Sequence, residues 1–312
     1  MKKIAFIFPG QGSQYAGMGK DFYNSYSSAR EVFDKADEIL GFSLSEICFN
    51  GPEEKLTSTD ICQPAILTCS IAAAKTIEAE LRIKPVMCGG LSLGEYSALV
   101  CAGALRFEDA VSLVYKRGSL MREACEKNEG TMASLLGSDE KTAREIVEKV
   151  SGETGEIGVA NINSPGQVVI SGSRPAVLKA IGIAKEAGIK RAIEIKVAGA
   201  YHSSLMREAE EKLVGELNKV ELASPVMKIT CNVSGSFYNE KSDIRALLAT
   251  QVTSPVLWQK CVESMIEDGI DLFVEPGCGK VLTGLLKRID SGKKCCVVEN
   301  NKSLETLKSL VQ

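Results

Sequence analysis

The chain has 312 residues, 45% of them hydrophobic and 25% charged, with a formal net charge of −3. That is enough chain for one large domain, or for one domain carrying a second, and it lacks the basic excess that nucleic-acid binding needs. Eleven cysteines are present without a C-x-x-C pair, together with a single histidine. This argues against a zinc site or a secreted disulfide scaffold and for a reduced, cytoplasmic protein whose cysteines pack as small hydrophobes.

The first apolar segment, Ile4–Phe8, reads as a buried strand. It follows Met1-Lys2-Lys3 as a signal peptide would, but five apolar residues are too few for that role and Pro9-Gly10-Gln11-Gly12 follows at once. No apolar run reaches membrane-spanning length, because the stretch 91–105 is interrupted by Glu95. The loop after the strand fails as a dinucleotide fingerprint, since Tyr15 stands where the third glycine belongs. Gly19-Lys20 and Gly279-Lys280 continue with Asp21 and Val281, so neither completes a P-loop. A loop of this kind can instead present backbone N–H groups to a developing oxyanion.

Helical spacing follows near Ala29–Leu40 and Pro64–Leu81. Pro85–Gly89 reads as a short strand, Gly90-Leu91-Ser92-Leu93-Gly94 as a sharp turn, and Gly94–Gly103 and Phe107–Ala124 as helices. This alternation predicts an α/β core with a mainly parallel sheet. After Glu126 the pattern changes: strand Thr131–Leu136, Ser138 as N-cap of a helix Asp139–Val150, strands Ile157–Asn163 and Gln167–Ser171 joined at Ser164-Pro165-Gly166, helix Pro175–Ala187, strand Arg191–Val197. The order β-α-β-β-α-β is ferredoxin-like. Residues 127–198 are therefore expected to form an inserted small domain, and 1–126 with 199–312 the core, with Phe273–Glu275 as a late strand and Gly279–Arg288 entering a helix.

Chemistry centres on Ser92. G-x-S-x-G marks a strand-to-helix turn that exposes a nucleophilic serine in several hydrolytic and acyl-transfer folds, although a tight turn of small residues reads the same way. A serine hydroxyl needs a base, and His202 is the only imidazole in the chain. A lone histidine is more often structural, but Gly199-Ala200-Tyr201-His202-Ser203-Ser204 sets it among small residues just after a strand. Arg117 is the third piece. Most helix arginines are solvated, yet a guanidinium fork can grip a carboxylate through two charge-assisted bonds.

Taken together, the segments resemble the malonyl-CoA:acyl-carrier-protein transacylases of fatty acid synthesis. The resemblance runs in order along nearly the whole chain: FPGQGSQ at 8–14, QPA at 63–65, GLSLGEYSALVCAG at 90–103, RG at 117–118, NSPGQVVISG at 163–172, YHSSLM at 201–206, QVTSPVLW at 251–258 and EPGCGKVLTGL at 275–285. It implies a hydrolase-like α/β core with a ferredoxin-like insert, Ser92 as the acylated nucleophile and His202 as its base. It further implies an oxyanion hole from the N–H groups of Gln11 and Leu93, Arg117 on the malonyl carboxylate, and Gln251 orienting His202 through its main-chain carbonyl. Gln63 and Asn161 would line the site. Malonyl-CoA and acyl carrier protein are the implied partners, with no metal, cofactor, nucleic acid or membrane involved, and a monomer is expected. Lys190-Arg191 and Lys287-Arg288 are candidate basic pairs for an acidic carrier.

Two residues depart from the family pattern or vary within it. Leu91 stands where the family usually has histidine. Tyr201 precedes the base where malonyl-selective members commonly carry phenylalanine; an aromatic ring there still crowds a bulky α-substituent and favours malonyl over methylmalonyl. The competing reading is a thioesterase or esterase using the same serine. Hydrolases of the α/β class place the acid between serine and histidine and the histidine near the C-terminus, whereas here residues 203–312 follow His202. A non-catalytic scaffold that lost activity through Leu91 is the other alternative.

Overall fold

The computed structural model describes residues 2–189, 191–239 and 242–311. Lys190 of the first basic pair lies outside them. The chain divides into two compact units: Met1–Gly118 with Val220–Cys231 and Val262–Gln312, and Ser119–Lys219 with Asn232–Cys261.

The first unit is built on a five-stranded, wholly parallel sheet in the order Lys228–Ile229, Met87–Gly90, Ile4–Phe8, Leu272–Pro276, Lys294–Val298. Every residue of Ile4–Phe8 and Leu272–Pro276 is buried, as expected of central parallel strands covered on both faces. The helix Thr59–Leu81 is buried nearly all round and packs against Ser27–Leu40 and Leu93–Cys101. It starts five residues before the predicted Pro64. Its first turn closes on Ser58, whose carbonyl accepts from Cys62 N–H at 2.7 Å, so Pro64 falls inside the helix and removes only one further donor.

The segment EPGCGKVLTGL has a structural explanation. Glu275, at the end of a central strand, accepts hydrogen bonds from Leu282 N–H (2.9 Å), Thr283 N–H (2.8 Å) and Thr283 Oγ1 (2.6 Å). Its carboxylate thus caps the N-terminus of helix Val281–Ile289 from the sheet below. Burial pushes its pKa up, and the three donors oppose that shift.

The second unit contains a four-stranded antiparallel sheet in the order Ile157–Ser164, Gln167–Ser173, Gly130–Leu136, Arg191–Ile195. Helices Glu140–Val150 and Arg174–Glu186 cover one face through Ala143, Ile146, Val177 and Ala180 against Ala133, Leu135, Val159 and Ile170. This is the ferredoxin-like arrangement. The first of these helices is capped by Asp139, which accepts from Thr142 N–H at 2.8 Å, and not by Ser138 as predicted. A charged acceptor at the positive end of the helix outcompetes a hydroxyl one residue earlier, and Ser138 Oγ donates to the Asp139 carbonyl instead. The hairpin turns at Pro165-Gly166, with Gly166 at φ 74°.

All eleven cysteines are free. Among the described residues no helix is long and apolar enough to cross a membrane.

Replacing Glu275 with alanine leaves two helix N–H groups without their acceptor and should lower stability by about 2–4 kcal/mol in urea unfolding, whereas Glu275→Gln keeps an acceptor and should cost less. Because the folded pKa is raised above its ordinary 4.5, the protonated form is the one the fold favours. The wild-type advantage over Glu275→Gln should be full below that ordinary value and decline as pH rises through the folded pKa.

Candidate active site

In the first unit, strand Met87–Gly90 runs directly into helix Leu93–Cys101, and Ser92 occupies the N-cap between them at φ 52°, ψ −103°. The reversal is this tight because both flanking glycines are required. A Cβ on Gly90 would lie 2.0 Å from the Gly94 carbonyl group, and one on Gly94 would lie 2.1 Å from Phe8 O. Serine is left to adopt a left-handed conformation that costs about 1–3 kcal/mol and persists only where the surrounding structure over-determines it. The turn thereby places Ser92, 9% exposed, at the end of strand Met87–Gly90.

Arg117, from helix Phe107–Lys127, reaches this hydroxyl. Its guanidinium is 1% exposed; Nη2 donates to Ser92 Oγ at 3.1 Å and Nη1 to Gln63 Oε1 at 2.7 Å. The Tyr96 ring lies 5.4 Å from the guanidinium carbon. A cation this deeply buried requires such donor-acceptor geometry to be tolerated at all.

The loop after Ile4–Phe8 lies against the serine turn. Leu91 N–H donates to Phe8 O at 3.1 Å, and Leu91 O and Cδ2 crowd the Gly10 α-carbon, where a Cβ would meet them at 2.4 and 3.2 Å. Leu91 is thus a half-buried apolar contact for the loop that carries Gln11. Among the described residues, the main-chain N–H groups of Gln11 and Leu93 donate to no other group of the chain. The Leu93 N–H is an unused first-turn donor at the positive end of its helix.

In the second unit His202, 6% exposed, also adopts a left-handed conformation, φ 56°. Ser203 Oγ donates to Ala200 O at 2.7 Å and accepts from Leu205 N–H, closing a turn around the histidine. The small residues before it are sterically required: Ala200 abuts the Gly130 α-carbon, and Gly199 abuts Cys125. His202 Nδ1 lies 2.8 Å from the main-chain carbonyl of Gln251, which follows helix Ile244–Thr250. With the proton on Nδ1 donated to that carbonyl, Nε2 carries the ring's lone pair. The Gln251 side chain donates to Asn232 Oδ1 at 3.5 Å. Asn161 is buried at a bulge in Ile157–Ser164, where the edge of the small sheet is bridged to Val256 through Ile162 N–H to Val256 O and Val256 N–H to Ala160 O.

The structure therefore brings Ser92, Arg117 and Gln63 together in one unit, and His202 and the Gln251 carbonyl together in the other. Tyr96 escaped the sequence reading although its signal was available: it stands four residues after Ser92, on the same face of the helix. Arg191 opens an edge strand, and Lys287 and Arg288 are exposed in the last turn of helix Val281–Ile289.

A parallel sheet delivering a serine on a strained strand-to-helix turn defines the class of serine-dependent acyl-transfer and hydrolytic enzymes. Comparison with known proteins narrows it. The acyl transferase domain family model matches residues 5–300. The malonyl CoA-acyl carrier protein transacylase of Bacillus subtilis (strain 168) is 45% identical over 98% of this chain and 96% of its own. That of Haemophilus influenzae is 42% identical over 93% of each chain. The crystal structure of the malonyl CoA-acyl carrier protein transacylase from Clostridium perfringens superposes with a TM-score of 0.96 at 44% identity, covering 99% of this chain and 97% of that one. The chain belongs to the acyl transferase family.

Strain at the nucleophile makes a stability prediction. Ser92→Ala and Ser92→Gly both remove the hydroxyl, but only glycine relieves φ 52°. Ser92→Gly should be more stable than Ser92→Ala by about 1 kcal/mol in equilibrium unfolding, with both variants inactive.

Proposed function

We propose that this chain transfers a malonyl group from CoA to the phosphopantetheine thiol of acyl carrier protein through an ester on Ser92, supplying chain-extender units for fatty acid synthesis. The observation that carries the reading is the buried Arg117 fork at Ser92 Oγ. A fixed cation at the nucleophile suits an acyl group that ends in a carboxylate, and the printed names of the relatives support the same substrate pair.

In the proposed cycle His202 accepts the Ser92 proton at Nε2 as Oγ attacks the malonyl thioester carbonyl. The Gln11 and Leu93 N–H groups receive the oxyanion. The C–S bond breaks, His202 protonates the departing CoA thiolate, and a malonyl-serine ester remains. The carrier's thiol then gives its proton to His202 and attacks the ester, and His202 returns that proton to Ser92 Oγ as the malonyl thioester leaves. The bond from Nδ1 to the Gln251 carbonyl supports this assignment, since a carbonyl acceptor keeps the required tautomer. Gln63 holds Arg117, and Tyr201 beside the base limits the α-substituent. Asn161 is assigned to the wall of the acyl site. The insert is taken as 127–198, with 1–126 and 199–312 as the catalytic core; the β-α-β-β-α-β run supports the insert, while the compact unit that holds it is larger and takes in Ser119–Lys219 and Asn232–Cys261.

Arg117→Ala should lower kcat/KM for malonyl-CoA relative to acetyl-CoA by about one to two decades, the worth of a charge-assisted bond of roughly 1.5–3 kcal/mol. In the same assay, with phosphopantetheinylated carrier protein present, the malonyl group should appear on the carrier thiol. Release as free malonate without transfer would establish a thioesterase instead.

A further inference from the structure

We infer that Tyr96 is a positioning residue for acyl selectivity: its ring fixes the plane of the Arg117 guanidinium, so that the fork faces the acyl group carried on Ser92. This rests on the Arg117 reading above and extends it to a residue that never touches substrate.

Three supports hold the guanidinium. Gly118, next in sequence, allows helix Phe107–Lys127 to approach the start of helix Thr59–Leu81, where a Cβ would lie 2.5 Å from Thr59 O. Gln63, one turn further along that same helix, accepts from Nη1 at 2.7 Å. Tyr96 supplies the third, at 5.4 Å from the guanidinium carbon and wholly buried. The bonds from Nη1 to Gln63 and from Nη2 to Ser92 Oγ hold the two terminal nitrogens, and the Tyr96 ring adds a contact at the guanidinium carbon that resists tilting of the fork.

Sequence spacing makes the device rigid. Ser92 and Tyr96 are the N-cap and the fourth residue of one helix, so a single turn separates nucleophile and ring. Any shift of the helix moves both together and preserves the register between Oγ and the fork. Burial raises the Tyr96 pKa to about 12 against the opposing pull of Arg117, so the ring stays neutral and offers its π face to the cation throughout the working pH range. Among the described residues the phenol oxygen has no hydrogen-bond partner of normal geometry, although Arg117 acts on it electrostatically, so Tyr96→Phe separates the hydroxyl from the ring.

The test compares kcat and KM for malonyl-CoA and acetyl-CoA in wild type, Tyr96→Leu, Tyr96→Phe and Arg117→Ala. A ratio of two substrates on the same enzyme is insensitive to the fraction folded, so loss of stability alone does not move it. We expect Tyr96→Leu to lower the malonyl-to-acetyl ratio of kcat/KM by about three- to tenfold, and Tyr96→Phe, which keeps the ring, to stay near wild type. If Tyr96→Leu cannot be purified, Tyr96→Met fills similar space without a π face and carries the same expectation. An unchanged ratio in the Leu or Met variant, or a ratio in Tyr96→Phe as low as theirs, overturns the inference. Arg117→Ala separates the two levels: if it loses selectivity while Tyr96→Leu does not, only the positioning role fails, and if it too is unchanged, the carboxylate clamp fails with it.

Discussion

A guanidinium buried to 1% exposure, hydrogen-bonded to a serine hydroxyl, is the constraint around which the first unit is organised. Moving a cation out of water is expensive, and the chain offsets that cost with an amide acceptor, an aromatic face and the hydroxyl itself. The partners come from two elements, Gln63 from the long buried helix and Tyr96 and Ser92 from the helix after strand Met87–Gly90, and Arg117 itself comes from the helix that follows. The mutual packing of these three helices therefore sets the geometry of one charge. The same arrangement leaves that charge poised for a stronger acceptor than a hydroxyl, and a carboxylate is the acceptor that matches it.

The second unit solves a different problem, how to orient an imidazole through the main chain. It uses a carbonyl left over at a helix C-terminus, where backbone acceptors have no intrahelical donor. Both functional residues with positive φ, Ser92 and His202, sit in turns closed by neighbouring glycines, alanine or serine. Strain is concentrated where side chains must point away from the regular elements that carry them.

Much of this was legible in the sequence. The glycine spacing around Ser92, the single histidine and the period change near Thr131 each reflect a local steric or patterning rule, and local rules survive in sequence. Element ends were less legible. Asp139 displaced Ser138 as a cap because the two compete within one residue, and Thr59–Leu81 began early because a proline inside the first turns of a helix costs little when the preceding turn is already closed. Partners distant in sequence were hidden altogether. Nothing local to Glu275 says that it caps a helix, and nothing local to Arg117 says that its fork reaches Gln63 and its guanidinium carbon lies over the Tyr96 ring. Leu91 is an intermediate case: its departure from the family was visible, but its contact with the Gly10 loop emerged only from the fold.

The central claim is that Ser92 carries the malonyl group as an ester before the carrier receives it. The direct measurement is acid-quenched mass spectrometry of the enzyme after brief exposure to malonyl-CoA, followed by peptide mapping. The account predicts one malonyl adduct on the peptide containing Ser92, absent in Ser92→Ala and discharged on adding phosphopantetheinylated carrier protein. Transfer to the carrier at full rate with no adduct at Ser92, or an adduct that persists in Ser92→Ala, would contradict it.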